Sequence, residues 1–247
     1  VVLLSVLGRA ARREISHRVS TCDRIHTLRT VIFDLDATLA DTSGDLIAAA
    51  NQCFDQLGFE TRLDPVVDAG TTLRGGRAML TLGLERAGQY SAELVDQYYS
   101  VLLSAYGEAI DTYTVLYPGA MEAVEVLKSN GMAVGICTNK PEGLAETLMT
   151  RLGVRGAFGS LIGADTLPTR KPDAAPYIAA VERAGGVVAQ SCLIGDTVTD
   201  RDTARAVGVA CVLVGFGPAG GDMAALEPDA IIQHFDELPE VATRLLG

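Results

Sequence analysis

Asp34 and Asp36 stand two residues apart at the end of the apolar run TVIF, with Thr38 just beyond them. Thr138, Asn139 and Lys140 follow AVGIC, Lys171 precedes Pro172 in TRKPDAAPY, and Asp196 ends CLIGD with Asp200 four residues on. Residues i and i+2 of an extended segment face one side, so the spacing predicts that the Asp34 and Asp36 carboxylates converge. Four carboxylates gathered in a poorly solvated cleft repel one another, and a divalent cation resolves the conflict. Oxygen-only ligands without a His or Cys cluster select Mg²⁺ over zinc, with water and a substrate phosphate in the remaining positions. A lysine and a hydroxyl are the groups expected around a phosphoryl oxygen.

These residues need a frame that brings distant segments to one edge. The runs at 30–34, 133–138, 160–163, 192–196, 210–215 and 229–232 are continuously apolar, as strands buried on both faces are. Helical stretches at 119–129, 141–152, 174–184 and 197–207 alternate with them, with Pro118 and Pro141 near helix openings and Asp173 as a cap. The pattern is α/β, a doubly wound, Rossmann-like parallel sheet with its active groups at the C-terminal strand ends. The interval 42–117 breaks the alternation: only helical periodicity appears in it, as in SAELVDQYYSVLLSAYGEAI. It is too long for a crossover and predicts an inserted all-helical cap domain, leaving 30–41 and 118–247 as the core. Entering next to the first strand's acids, it is placed to act as a lid.

Composition removes several classes. With 48% hydrophobic residues and 21% charged, the chain is not a disordered one, and no apolar run approaches the roughly 18 residues that cross a bilayer. A formal charge of −11 repels nucleic acid and anionic lipid, so neither is an expected partner. Cys22, Cys53, Cys137, Cys192 and Cys211 form no C-x-x-C pair and read as reduced thiols of a cytoplasmic protein. Segment 1–29 differs from the rest: Arg9, Arg12, Arg13, Arg18, Arg24 and Arg29 face only Glu14 and Asp23. It reads as a poorly ordered extension, with a targeting segment or a functional arm as alternatives. Oligomeric state has no signature in the sequence.

In order, DLDATLADT, CTNK, RKPDAAPY and GDTVTD resemble the four signature motifs of the haloacid dehalogenase superfamily of phosphohydrolases. The resemblance runs from about Thr30 to Gly217, and TNKP with GADTLPTRKPDAAP is most similar to bacterial phosphoglycolate phosphatases. It implies Asp34 as the nucleophile that becomes an aspartyl phosphate, and Asp36 as general acid and base with its backbone carbonyl on the metal. It further implies Thr138 and the Asn139 backbone N–H as phosphate ligands, and Lys171 as the cation that neutralises nucleophile and phosphate. Asp196 becomes a Mg²⁺ ligand, and Asp200 either ligates or orients through water or Lys171. The implied substrate is a small phosphorylated carboxylic acid, 2-phosphoglycolate, with Mg²⁺ as cofactor.

Plainer readings stand beside these. Asp200 can be a helix N-terminal charge, Asn139 a turn residue, and Thr38 a hydroxyl that satisfies its local backbone. Arg74 and Arg77 flank a Gly pair in the helical interval, where an arginine fork suits a carboxylate and a solvated surface is the alternative. The match of 215–220 to G-x-G-x-x-G follows a late strand, contains Pro218 and opens no helix, so no dinucleotide site is expected. Where the family usually has Gly after the second acid, this chain has Ala37, costing about 1 kcal/mol if φ is positive there. Asp36 argues against a dehalogenase. Phosphonoacetaldehyde cleavage needs a lid lysine, and Lys128, Lys140 and Lys171 all lie outside the interval. A mutase or phosphatase for another small metabolite, and a non-catalytic phosphoanion-binding protein, are the remaining alternatives.

Overall fold

The structure, a computed structural model, describes residues 28–217 and 222–247. The extension expected at 1–29 therefore lies outside the described residues except for Leu28 and Arg29, as do the last residues of the glycine-rich match. Arg29 is tied to the folded body, donating from Nη1 to the Gly247 carbonyl at 3.0 Å and from Nη2 to that of Asn130 at 3.1 Å.

Strands β1 (Thr30–Phe33), β2 (Ala40–Asp41), β3 (Val115–Leu116), β4 (Ala133–Cys137), β5 (Ser160–Ile162), β6 (Ser191–Gly195), β7 (Ala210–Val214) and β8 (Ala230–Ile232) form two sheets. The larger is wholly parallel in the order β5-β4-β1-β6-β7-β8. Its centre is apolar because both faces are covered: Val31, Ile32 and Phe33 have no exposed surface. Ile32 and Leu193 pack under Tyr177 and Val181 on one face, while Val31, Phe33 and Ile194 belong to the core on the other. This is the doubly wound α/β fold expected from the alternation of apolar runs and helices.

The helices are α1 (Ser43–Gln56), α2 (Ala69–Thr72), α3 (Gly76–Arg86), α4 (Ala92–Glu108), α5 (Ala120–Ser129), α6 (Glu142–Arg151), α7 (Ala174–Arg183), α8 (Val198–Val207) and α9 (Leu238–Leu246). α4 begins where Ser91 accepts from the Leu94 amide, and α7 where Asp173 accepts from Ala175. Between β2 and β3, helices α1, α3 and α4 pack together around Phe54, Leu80, Leu102 and Tyr106, all fully or nearly fully buried. The interval 42–117 differs from an all-helical one at its end, where β3 pairs antiparallel with β2 as Ala40↔Leu116 and Asp41↔Val115. Two residues are too few for periodicity to register. The ribbon sets the two chain crossings into the helical layer side by side. Among the described residues no helix is long and apolar enough to cross a membrane.

Candidate active site

The C-terminal ends of β1 and β6 lie side by side, with the Asp34 amide donating to the Ile194 carbonyl at 2.8 Å. Asp34, Asp196 and Asp200 consequently offer carboxylate oxygens that all lie within 4.8 Å of one another. All three are buried, Asp200 completely. Lys171 reaches in from the loop before α7: its Nζ lies 2.9 Å from Asp34 Oδ1 and 2.7 Å from Asp200 Oδ1. Three carboxylates and one ammonium leave a formal charge of −2 when all are ionised.

The Asp34 carboxyl is pushed up to about 6: burial raises it most, Lys171 pulls against that, and Asp200 and Asp36 add to the rise. Asp196 is raised well above the carboxylate range, by burial first and then by Asp200 and Asp34. Burial works against the Lys171 charge, yet Asp200 and Asp34 outweigh it and hold the ammonium protonated.

Asp200 has both oxygens committed. Oδ1 accepts from Lys171, and Oδ2 accepts from the Thr197 hydroxyl at 2.7 Å and the Thr197 amide at 3.1 Å, closing a capping box on α8. A Cβ at Gly195 would stand 2.3 Å from the Asp200 Cγ, so a glycine ending β6 is what admits this carboxylate. The one carboxylate thus closes the capping box of α8 and contacts Lys171. Asp196 is less committed. Its Oδ1 accepts from Thr38 Oγ1 at 3.1 Å, which takes Thr38 beyond the local-backbone role expected for it. Its buried Oδ2 has no hydrogen-bond partner. A buried carboxylate oxygen without a donor, in a pocket with surplus negative charge, fits a divalent cation bound by oxygen ligands.

Asp36 departs from expectation. β1 ends at Phe33, and the chain then turns, with the Leu39 and Ala40 amides donating to the Leu35 carbonyl. The i, i+2 argument requires extended backbone through both acids, so it fails here. The Asp36 carboxylate lies outside the three-acid cluster, where Oδ1 accepts from Lys140 Nζ at 2.8 Å and Thr42 Oγ1 at 2.7 Å. Ala37 in the same turn has φ of +61°. Replacing Ala37 by Gly is expected to relieve about 1 kcal/mol of left-handed strain and raise the melting temperature by about 2–4 °C. A lower melting temperature would show that the buried methyl outweighs the strain.

Thr138 is buried, its hydroxyl accepting from the Lys140 amide at 3.1 Å. The Asn139 side chain donates to the Lys171 carbonyl at 3.0 Å, tying the loop after β4 to the lysine. These residues, with Asp34, Asp36, Lys171 and Asp196, line a cleft of about 620 Å³ whose opposite wall comes from the interval 42–117 and includes Arg74, in the turn between α2 and α3, Arg77, Tyr99 and Tyr106. Arg77 pairs with Asp96 and stacks 4.5 Å from the Tyr99 ring centroid. Arg74 is exposed and makes no ion pair among the described residues. The sequence places Lys140 at a strand end without assigning it a role, and it does not single out Tyr106. The adjacency of Lys140 to Thr138 and Asn139, in a chain with three lysines, was an available signal; Tyr106 carried none beyond a core stripe.

A model of the haloacid dehalogenase-like hydrolase family matches residues 31–214. The chain belongs to that family. A phosphoglycolate phosphatase of Mesorhizobium japonicum is 35% identical over 222 residues, 87% of this chain and 96% of the relative. Another, of Agrobacterium fabrum, is 35% identical over 211 residues, 84% and 89% of the two chains. Among solved structures, a Haemophilus somnus protein described as a predicted phosphoglycolate phosphatase superposes with a TM-score of 0.77 at 23% identity, covering 87% of this chain and 98% of that one. A haloacid dehalogenase-like hydrolase of Streptococcus pneumoniae does so with 0.69 at 24%, covering 87% and 98%. At such identities the structures establish likeness of fold. Membership in the family and the named relatives make this haloacid dehalogenase-like protein an enzyme, a phosphoric monoester hydrolase.

Proposed function

We propose that the chain is a Mg²⁺-dependent phosphatase of 2-phosphoglycolate that works through an aspartyl phosphate on Asp34. The observation that carries the reading is the buried triad of Asp34, Asp196 and Asp200 with a single lysine and an unpartnered Asp196 oxygen. Asp34 attacks phosphorus as the bond to the glycolate oxygen breaks, and Asp36 gives that oxygen a proton. Asp36 then takes a proton from water as its oxygen attacks phosphorus, which frees phosphate and restores Asp34. Lys171, the Thr138 hydroxyl and the Asn139 amide offset and position the phosphoryl charge. Asp34, Asp196 and the Asp36 carbonyl would hold Mg²⁺, whose charge opposes that of the phosphoryl oxygens; Asp200 acts behind Lys171.

The helical interval 42–117 serves as a cap over the cleft in this reading. Arg74, exposed on that wall, is the better carboxylate ligand of the two arginines because Asp96 already engages Arg77. Arg74→Ala is expected to raise KM for phosphoglycolate about tenfold, as loss of one charged hydrogen bond does, with kcat little changed; an unchanged KM removes the clamp. Four buried free cysteines, Cys53, Cys137, Cys192 and Cys211, suit a reducing cytoplasm.

Phosphate release across a panel of phosphoglycolate, sugar phosphates and nucleotides tests the substrate. Sugar phosphates belong in it because a cleft of about 620 Å³ exceeds the needs of a two-carbon acid. Phosphoglycolate is expected to lead by about tenfold or more in kcat/KM, at least the factor that one charged hydrogen bond supplies. A sugar phosphate that leads instead overturns the assigned substrate.

Metal binding is also legible in stability. The Asp34 pKa of about 6 in the metal-free fold lies above the unfolded value of about 4. The stability this shift contributes is present below about pH 4 and is lost as pH rises through about 6. Mg²⁺ should therefore raise the melting temperature more at pH 7.5 than at pH 5, where protons compete for the same oxygens. Equal increments at both values would separate the metal from these carboxylates.

A further inference from the structure

Lys140 has no part in the reaction as written, yet its side chain is 3% exposed. An ammonium so deeply placed needs partners, and it has two. Its Nζ donates to Asp36 Oδ1 at 2.8 Å and lies 4.5 Å from the centroid of the Tyr106 ring, close enough for a cation–π contact. Tyr106 is itself buried, and its ring lies beneath the ammonium. Asp36 Oδ1 also accepts from Thr42 Oγ1, while no donor among the described residues reaches Oδ2. Lys140 and Asp36 belong to the α/β body; Thr42 and Tyr106 belong to the helical layer. An oxygen that accepts from two donors has no room for a proton of its own, so the proton of a carboxylic acid at this position sits on Oδ2.

We propose that Lys140, braced on the Tyr106 ring, is a positioning residue that pins Asp36 Oδ1 and leaves Oδ2 as the atom that protonates the departing oxygen. The proposal rests on the phosphatase reading and on Asp36 as the general acid. In the step it serves, the Asp34–phosphorus bond forms, the phosphorus–oxygen bond of the ester breaks, and the Oδ2 proton moves to the released oxygen. Because Tyr106 lies on the cap side, the acid is aligned when that wall is in place over the cleft.

Leaving-group chemistry separates this role from a structural one. An alkoxide cannot depart unprotonated, whereas p-nitrophenolate can, and kcat/KM reports only steps through ester cleavage. We expect Lys140→Met to lower kcat/KM for phosphoglycolate about 10²–10³-fold, the range of general-acid contributions, and for p-nitrophenyl phosphate less than about tenfold. Lys140→Arg should recover part of the lost ratio. Tyr106→Leu, which keeps the ammonium but removes its brace, should shift the ratio in the same direction by a smaller factor. It also serves if Lys140→Met does not fold. Equal losses on both esters in Lys140→Met, or an unchanged ratio in a folded Tyr106→Leu, overturn the proposal. Wild-type protein that cleaves neither ester overturns the phosphatase reading itself, and is distinguishable because no variant is needed to see it.

Discussion

Asp34→Asn is expected to lower kcat by at least about 10⁴-fold while the protein stays folded. An amide oxygen is a poor nucleophile toward phosphorus, and removal of a nucleophile that works as part of a unit forfeits most of the rate. The structure adds a second expectation that a general loss of fold would not meet. Asp34 is held in a buried pocket with surplus negative charge, where its ionisation is already disfavoured. Its neutral isostere removes repulsion from Asp196 and Asp200. The metal-free melting temperature at pH 7.5 should therefore not fall, and the increment given by Mg²⁺ should shrink. Steady-state kinetics and melting curves with and without Mg²⁺ check both halves; turnover within tenfold of wild type would refute Asp34 as nucleophile.

Lys171→Met joins a catalytic loss to a structural one. The ammonium holds Asp34 Oδ1 and Asp200 Oδ1 together with almost no access to water. Breaking a buried ion pair from one side leaves the other charges uncompensated, at a cost of about 3–5 kcal/mol. The catalytic loss is expected to be about 10²–10³-fold in kcat, as for removal of one donor at a developing oxyanion. Since Asp34, one of the two uncompensated carboxylates, is a proposed Mg²⁺ ligand, saturating Mg²⁺ should restore part of the stability but not the rate. Melting curves and kinetics at saturating Mg²⁺ read the two separately. A rate recovered along with the stability would contradict a role for Lys171 on the phosphoryl group.

The parallel sheet was legible because each of its strands is built on an uninterrupted apolar run, with polar Thr30, Ser160 and Ser191 confined to the first residue of their strands. Asp34 and Asp196 stood out as acids just after such runs; Lys171 lies well beyond β5 and stood out instead through the RKPDAAPY motif. Asp36 was misjudged in orientation: its carboxylate direction depends on where β1 stops and on a turn through the left-handed backbone of Ala37, neither of which a spacing rule contains. Asp200 had a readable signal in Thr197 three residues before it, the spacing of a capping box, which accounts for Oδ2, while Oδ1 is engaged by the distant Lys171. The contact of Lys140 with Asp36 spans 104 residues, and Tyr106 approaches from a helix of another layer. No local pattern encodes such encounters. α9, which carries Leu238 and Ala242 into the core, is a short amphipathic helix beyond the last strand and is not among the helical stretches read from the sequence.

The proposed aspartyl phosphate on Asp34 can be tested by direct trapping. Substrate labelled in its phosphoryl group is mixed with enzyme and Mg²⁺, quenched in acid within a turnover, and the labelled peptide is sequenced. Up to one phosphoryl group per chain should be found on Asp34, labile to hydroxylamine and lost when the metal is chelated beforehand. Turnover with no trapped label, or label on any other residue, would contradict it.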